Sequence, residues 1–260
     1  MPSTIHIAIT GGGLTAFKEA GMAVGVTRNA LTSLDLNGKS AAQALESAGA
    51  VPQKAFRIAL AQGPNQGRLI GEIDVSGPGG KRLTSIVHRA DFLRELLAEV
   101  PKDRMHASKK LASIDKSSPT GPITLYFTDG TTHEYDILVG ADGIHSTVRK
   151  LILGADDPAA SARNSGWLGI MVLKPFEEAK SCIESLNIED AREYGFVGDG
   201  TYLMWNLLSH GKLLQFVATG YDEHVENDWT RMVTADEIKR LYQHWPEHLR
   251  KAILEVRNDC

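Results

Sequence analysis

The sequence predicts an α/β fold in two portions: a parallel-sheet portion over residues 1–160 and a mostly antiparallel, sheet-rich portion over residues 161–260. Three observations carry this. A β-prone run at residues 5–10 stops at Gly11-Gly12-Gly13. A short apolar run, Ile137-Leu138-Val139, ends at Gly140 and suits a strand buried on both faces, as in a parallel sheet. Beyond a loop at Asp156-Asp157-Pro158, β-prone stretches follow at residues 167–173, 201–207 and 213–219.

The other elements follow in chain order. Residues 29–36 read as an amphipathic helix, with Ala30, Leu31 and Leu34 on one side. After Arg89, the residues Phe92, Leu93, Leu96, Leu97 and Val100 recur at helical spacing until Pro101 ends the run. Thr128-Asp129-Gly130 separates two β-prone runs, the signature of a hairpin. Residues 177–186 predict a helix. Thr234 and Glu237 fit a capping box opening another, and Pro246 starts a last one.

Composition bounds the function. The chain has 260 residues, with 28 basic and 32 acidic side chains and a net charge of −4. That balance excludes a general nucleic-acid binder, which needs a basic surface to meet phosphate. A hydrophobic content of 42% and a charged content of 23% exclude a disordered chain. Two cysteines, Cys182 and Cys260, are too few for a disulfide scaffold and point to a reducing, cytoplasmic setting. No apolar run is long enough to span a bilayer, and no secretory signal is visible. None of the nine histidines has a partner at metal-ligand spacing, so no metal is expected; His88 and His145 read as structural.

Gly11, Gly13 and Ala16 fit the pattern G-x-G-x-x-G/A directly after a strand, the Rossmann-like arrangement. A pyrophosphate lying against backbone N–H groups at a helix start leaves no room for a side chain there. The same glycines would also serve an ordinary tight turn. Asp35 stands near the distance expected of a ribose-binding acid, but its place in the helix of residues 29–36 makes it an ordinary helix residue.

Three further blocks complete a pattern: Gly21-Met22-Ala23-Val24-Gly25 with Asn29-Ala30-Leu31; Val87-His88-Arg89-Ala90-Asp91-Phe92-Leu93; and Asp136-Ile137-Leu138-Val139-Gly140-Ala141-Asp142-Gly143-Ile144-His145-Ser146-Thr147-Val148-Arg149. In order and spacing, together with the N-terminal glycines, these resemble the FAD-dependent aromatic hydroxylases, in particular the salicylate-hydroxylase-like monooxygenases. The resemblance implies an incomplete Rossmann-like FAD-binding domain followed by a substrate domain. It implies that Gly11, Gly13 and Ala16 face the FAD pyrophosphate and that Gly21 and Ala23 lie in the backbone stretch approaching the cofactor. It implies that Arg89 reaches toward the flavin side, and that Asp142 and Gly143 serve FAD and the reduced nicotinamide nucleotide. It implies FAD as cofactor, NADH or NADPH as co-substrate, and O2 and a small aromatic or phenolic compound as substrates. No catalytic residue is assigned.

Each assignment has a plainer counterpart. Arg89 could be a surface charge at a helix start. Asp142-Gly143 could be a strand-ending turn with Ser146 beginning a helix. Arg149 reads as a surface or ion-pair residue and Cys182 as a core thiol. Trp167, Tyr202, Trp205 and Phe216 would wall the flavin ring or, for most of them, fill a sheet core.

The chain departs from the family in three places. A block of on the order of twenty residues, including the second strand and its ribose-binding acid, is absent after Ala16. The family's later Gly-Asp motif is expected beyond Cys260. Met171-Val172-Leu173 stands where many relatives carry an arginine. These departures leave open a catalytically inactive remnant or fragment of such an enzyme, acting, if at all, as an interaction module. A nicotinamide-dependent dehydrogenase rests on the glycine loop alone.

Overall fold

The computed structural model describes residues 5–11, 22–36, 39–74, 84–118, 121–182, 192–221, 229 and 232–257. In chain order the strands are β1 (Ile7–Gly11), β2 (Ala23–Val26), β3 (Val51–Pro52), β4 (Ala55–Leu60), β5 (Leu69–Asp74), β6 (Ser85–His88), β7 (Leu111–Asp115), β8 (Ile123–Phe127), β9 (Thr132–Tyr135), β10 (Ile137–Ala141), β11 (Trp167–Pro175), β12 (Glu193–Gly198), β13 (Thr201–Leu208) and β14 (Leu213–Tyr221). The helices are α1 (Arg28–Leu36), α2 (Lys39–Ser47), α3 (Arg89–Leu97), α4 (Thr147–Leu153), α5 (Phe176–Cys182), α6 (Ala235–Leu241) and α7 (Glu247–Arg257). The chain forms two compact units: Met1–Lys18 with Val100–Arg163, and Glu19–Glu99 with Asn164–Cys260.

In the first unit β1 and β10 run parallel, Ile7 opposite Ile137 and Ile9 opposite Val139. Alternating β-branched residues favour the extended chain here. One face of the pair meets α4: a Cβ on Gly140 would lie 2.6 Å from the Val148 side chain. The opposite face is open. Ile7, Ile9, Ile137 and Val139 are 56%, 67%, 44% and 44% exposed. The expectation that residues 137–139 form a strand buried on both faces is therefore corrected. The strand is there, but among the described residues it has a single strand neighbour and a covering helix on one side.

The same unit holds the antiparallel meander β7-β8-β9. Its Asp-Gly turn forms as the sequence predicts. Gly130 takes φ +81°, a left-handed conformation open to glycine without penalty. Asp129 accepts hydrogen bonds from the Lys109 ammonium, the Thr131 hydroxyl (2.6 Å) and the Thr131 N–H (3.0 Å), which together hold its carboxyl far below the usual range.

In the second unit the six-stranded sheet runs β11-β14-β13-β12-β4-β5. All its pairs are antiparallel except β12 with β4. Strands from residues 55–74 thus join strands from residues 167–221, so the compact units do not follow the linear division at residue 160. One face of the sheet carries the main core. Leu203, Trp205, Leu214 and Phe216 pack there against Ile238, Tyr242, Trp245 and Leu249 of α6, α7 and their connection. Trp205 stacks between Tyr194 and Phe196, with centroids at 5.5 and 5.4 Å. The Tyr242 hydroxyl reaches the Thr219 carbonyl at 2.7 Å and the Tyr202 carbonyl at 3.0 Å, latching the end of α6 onto two strands. Burial pushes this phenol's pKa up, so it stays a donor. The predicted capping box of α6 forms, Thr234 and Glu237 each satisfying the other's backbone N–H. A three-stranded sheet, β2-β6-β3, completes the unit with α1, α2 and α3 around Leu31, Leu45 and Val87.

Candidate functional site

The first unit brings together the carboxyl ends of two parallel strands, the place where open α/β sheets bind ligands. Gly11 ends β1 at φ +98°, directly beside Ala141 at the end of β10. A Cβ on Gly11 would sit 2.1 Å from the Ala141 carbonyl oxygen and 2.5 Å from the Asp142 Cα. Backbone meets backbone here, so only glycine fits. One residue back, the Thr10 hydroxyl is buried and has no hydrogen-bond partner among the described residues. Gly143 follows Asp142 at φ +75°, with nothing within 4 Å of where a Cβ would be.

Asp142 turns its carboxylate onto the start of α4. It accepts from the Ser146 hydroxyl, from the Thr147 N–H at 2.7 Å and from the Val148 N–H at 3.2 Å. The Ser146 hydroxyl oxygen in turn accepts from the Arg149 N–H at 2.9 Å. Orphan donors of the first helical turn are thereby satisfied. Burial raises the carboxyl pKa, but the hydrogen bonds from Ser146, Val148 and Thr147 outweigh it and hold it below the usual aspartate range. The strand-ending turn foreseen for Asp142-Gly143 is thus present. Arg149 is corrected from a surface or ion-pair residue to a loop clasp. Its guanidinium donates to the carbonyls of Ile144, Gly143 (3.4 Å) and Ala160 (3.3 Å). No local pattern signals this, because the clasp depends on the loop returning at Ala160.

In the second unit Ala23 begins β2 opposite His88, the last residue of β6. Arg89 opens α3, and its backbone N–H donates to the Met22 carbonyl at 3.0 Å. Its side chain is half-buried, and among the described residues its guanidinium has no partner. Beside it, the buried His88 ring lies 2.8 Å from Asp91, which also pairs with Arg94 at 2.9 Å. His88 is structural, as expected. A half-buried arginine at a helix start, with no partner among the described residues, is a poor stabiliser of that helix. Gly13, Ala16 and Gly21 lie outside the described residues, as does the Cys182 side chain.

The aromatic residues divide by sheet face. Trp205 and Phe216, each 3% exposed, fill the helix-covered core. Tyr202 is one residue out of phase with Leu203 and lies on the other face. Its ring covers Gly195, where a Cβ would meet the hydroxyl at 2.4 Å. Burial, helped by the Glu193 charge, pushes the Tyr202 phenol up to about 12. Trp167 is 53% exposed and Met171 is 54% exposed. Sequence reasoning passed over Gln215, whose one available signal is that it interrupts the apolar run of β14.

No protein-family model matches the chain. Among characterised proteins, it is 35% identical over 171 residues to a 6-methylsalicylate 1-monooxygenase of Aspergillus terreus, covering 64% of this chain and 38% of that protein. It is 29% identical over 230 residues to a salicylate hydroxylase of Sarocladium schorii, covering 84% of this chain and 46% of that one. The chain thus spans less than half the length of these two relatives. Among solved structures it superposes on a salicylate hydroxylase substrate complex with a TM-score of 0.71 at 21% identity, over 98% of this chain and 66% of that one. It superposes on Klebsiella pneumoniae HpxO, complexed with FAD and uric acid, with a TM-score of 0.72 at 21% identity, over 95% and 64%. In sequence the chain is thus similar to part of proteins named as salicylate hydroxylases and FAD-dependent monooxygenases, and its fold is that of the salicylate hydroxylase and HpxO structures.

Proposed function

We propose that this protein binds FAD and hydroxylates a small aromatic or phenolic substrate at the expense of NADH or NADPH and O2. The observation that carries the reading is the closure of Gly11 onto Ala141 and Asp142, which leaves two strand ends side by side with no side chain between them. Relatives named for salicylate and 6-methylsalicylate support the aromatic substrate class.

The residues present fit such a cofactor. Gly143 leaves backbone open to a pyrophosphate, Gly11 lets the two strand ends close beside it, and the buried Thr10 hydroxyl has no partner among the described residues. Asp142 holds the start of α4 and, with Gly143, fixes the turn there. In the second unit, Ala23 belongs to the backbone stretch along the cofactor, and the Arg89 guanidinium can donate to it. Gly13, Ala16 and Gly21 are proposed for the pyrophosphate loop and the approach after it. Bound FAD supplies electron transfer from the nicotinamide and activation of O2. The protein binds, orients and excludes water around it. We assign residues 1–160 chiefly to FAD and residues 161–260 chiefly to substrate, with Tyr202 on the substrate side.

Purified protein mixed with FAD should retain the flavin's visible absorption through gel filtration. It should then oxidise NADH or NADPH faster when a phenolic acid is added. Arg89→Ala should weaken FAD binding by about tenfold or more, the worth of a charged hydrogen bond. A protein that takes up no FAD sinks the reading. One that takes up FAD but shows no aromatic-stimulated turnover confines it to flavin binding.

A further inference from the structure

We propose that Gln215 is a positioning residue for the cofactor segment, acting through a clamp on the single peptide that joins Met22 to Ala23. The carbonyl of that peptide accepts from the Arg89 N–H at 3.0 Å. Its N–H points the other way, off the edge of β2 that pairs with no strand among the described residues, and donates to Gln215 Oε1 at 2.6 Å. The peptide plane is therefore held on both sides, by the residue that opens α3 and by a side chain of the six-stranded sheet.

Gln215 is itself held. It is 4% exposed, near the start of β14. Its Nε2 donates to Asn206 Oδ1 at 3.4 Å, across the directly paired strand β13. Asn206, 2% exposed, donates to Glu193 Oε2 on β12 at 3.5 Å. Burial raises the Glu193 carboxyl pKa, and the Asn206 bond opposes this. Three adjacent strands thus carry one polar chain that ends on one backbone N–H. Apolar residues at these positions would serve a mere core as well. What the polar chain adds is a fixed orientation for the Met22–Ala23 peptide, and with it for the start of α3 and Arg89.

The inference rests on the proposed FAD binding, and its test separates the two. FAD affinity is measured by fluorescence titration, and the bound-flavin absorption spectrum is recorded, well below each protein's melting temperature. Gln215→Met keeps the volume and removes the acceptor; it should bind FAD about tenfold more weakly, with a shifted flavin spectrum. Gln215→Glu keeps an acceptor toward Ala23 and should recover affinity to within about threefold of wild type. Leu207→Ala, a cavity on the helix-covered side, should lower the melting temperature and leave FAD affinity unchanged. If Gln215→Met does not fold, Asn206→Leu takes its place: it frees Gln215 from its anchor, and a loss of about threefold is expected. Wild-type FAD affinity in whichever of these two variants folds overturns the clamp while leaving FAD binding intact. A wild-type protein that takes up no FAD overturns the functional reading and the clamp with it.

Discussion

Gly11→Ala is expected to destabilise the first unit by about 3–5 kcal/mol and to abolish FAD uptake. The residue sits at φ +98°, which an L side chain rarely adopts. The added methyl would also lie 2.1 Å from a backbone oxygen and 2.3 Å from a backbone carbon of Ala141. Backbone atoms cannot step aside by changing rotamer, so β1 must part from β10. Urea unfolding monitored by circular dichroism measures the first effect and flavin retention the second. A loss below about 1 kcal/mol would mean that the two strand ends do not pack in this way.

Asp142→Ala is expected to cost about 2–3 kcal/mol and to fray α4, since three accepted hydrogen bonds disappear at once. Asp142→Asn keeps an acceptor and should cost about 1 kcal/mol. The two also differ from wild type in their response to acid. The folded carboxyl titrates below its ordinary value near 3.8. Its contribution is therefore complete above that value and is lost as pH falls through the lower, folded value. Wild type should lose part of its advantage over Asp142→Asn across that acidic window and keep it from pH 5 upward. Urea midpoints measured against pH test this; parallel curves would show that the carboxylate is not bonded to the helix start.

The elements legible in the sequence are those written in local patterns. Alternating isoleucines announce β1, Asp129-Gly130 the hairpin β8-β9, the spacing from Phe92 to Leu97 the helix α3, and Thr234 with Glu237 the cap of α6. The elements missed depend on distant partners. β4 and β5 lie in a sheet whose other members begin only at Trp167, and β4 meets β12 in parallel, with no turn to advertise it. The linear division at residue 160 cannot express that exchange. At the site, Gly11 was readable because its chemistry is the absence of a side chain. The turn at Asp142-Gly143 before a helix opening at Ser146 was readable as one alternative, but the bonds of Asp142 to Ser146, Thr147 and Val148 carry no local signal. Arg149 and Gln215 were opaque for one reason: each acts on backbone groups brought to it by the fold.

The bare aliphatic side of β1 and β10 makes protein concentration the variable that governs handling. A greasy strip formed by Ile7, Ile9, Ile137 and Val139 seeks its like, and the chain's modest net charge of −4 offers little repulsion against such adhesion. Light scattering over a dilution series should therefore show particle size falling as the polypeptide is thinned.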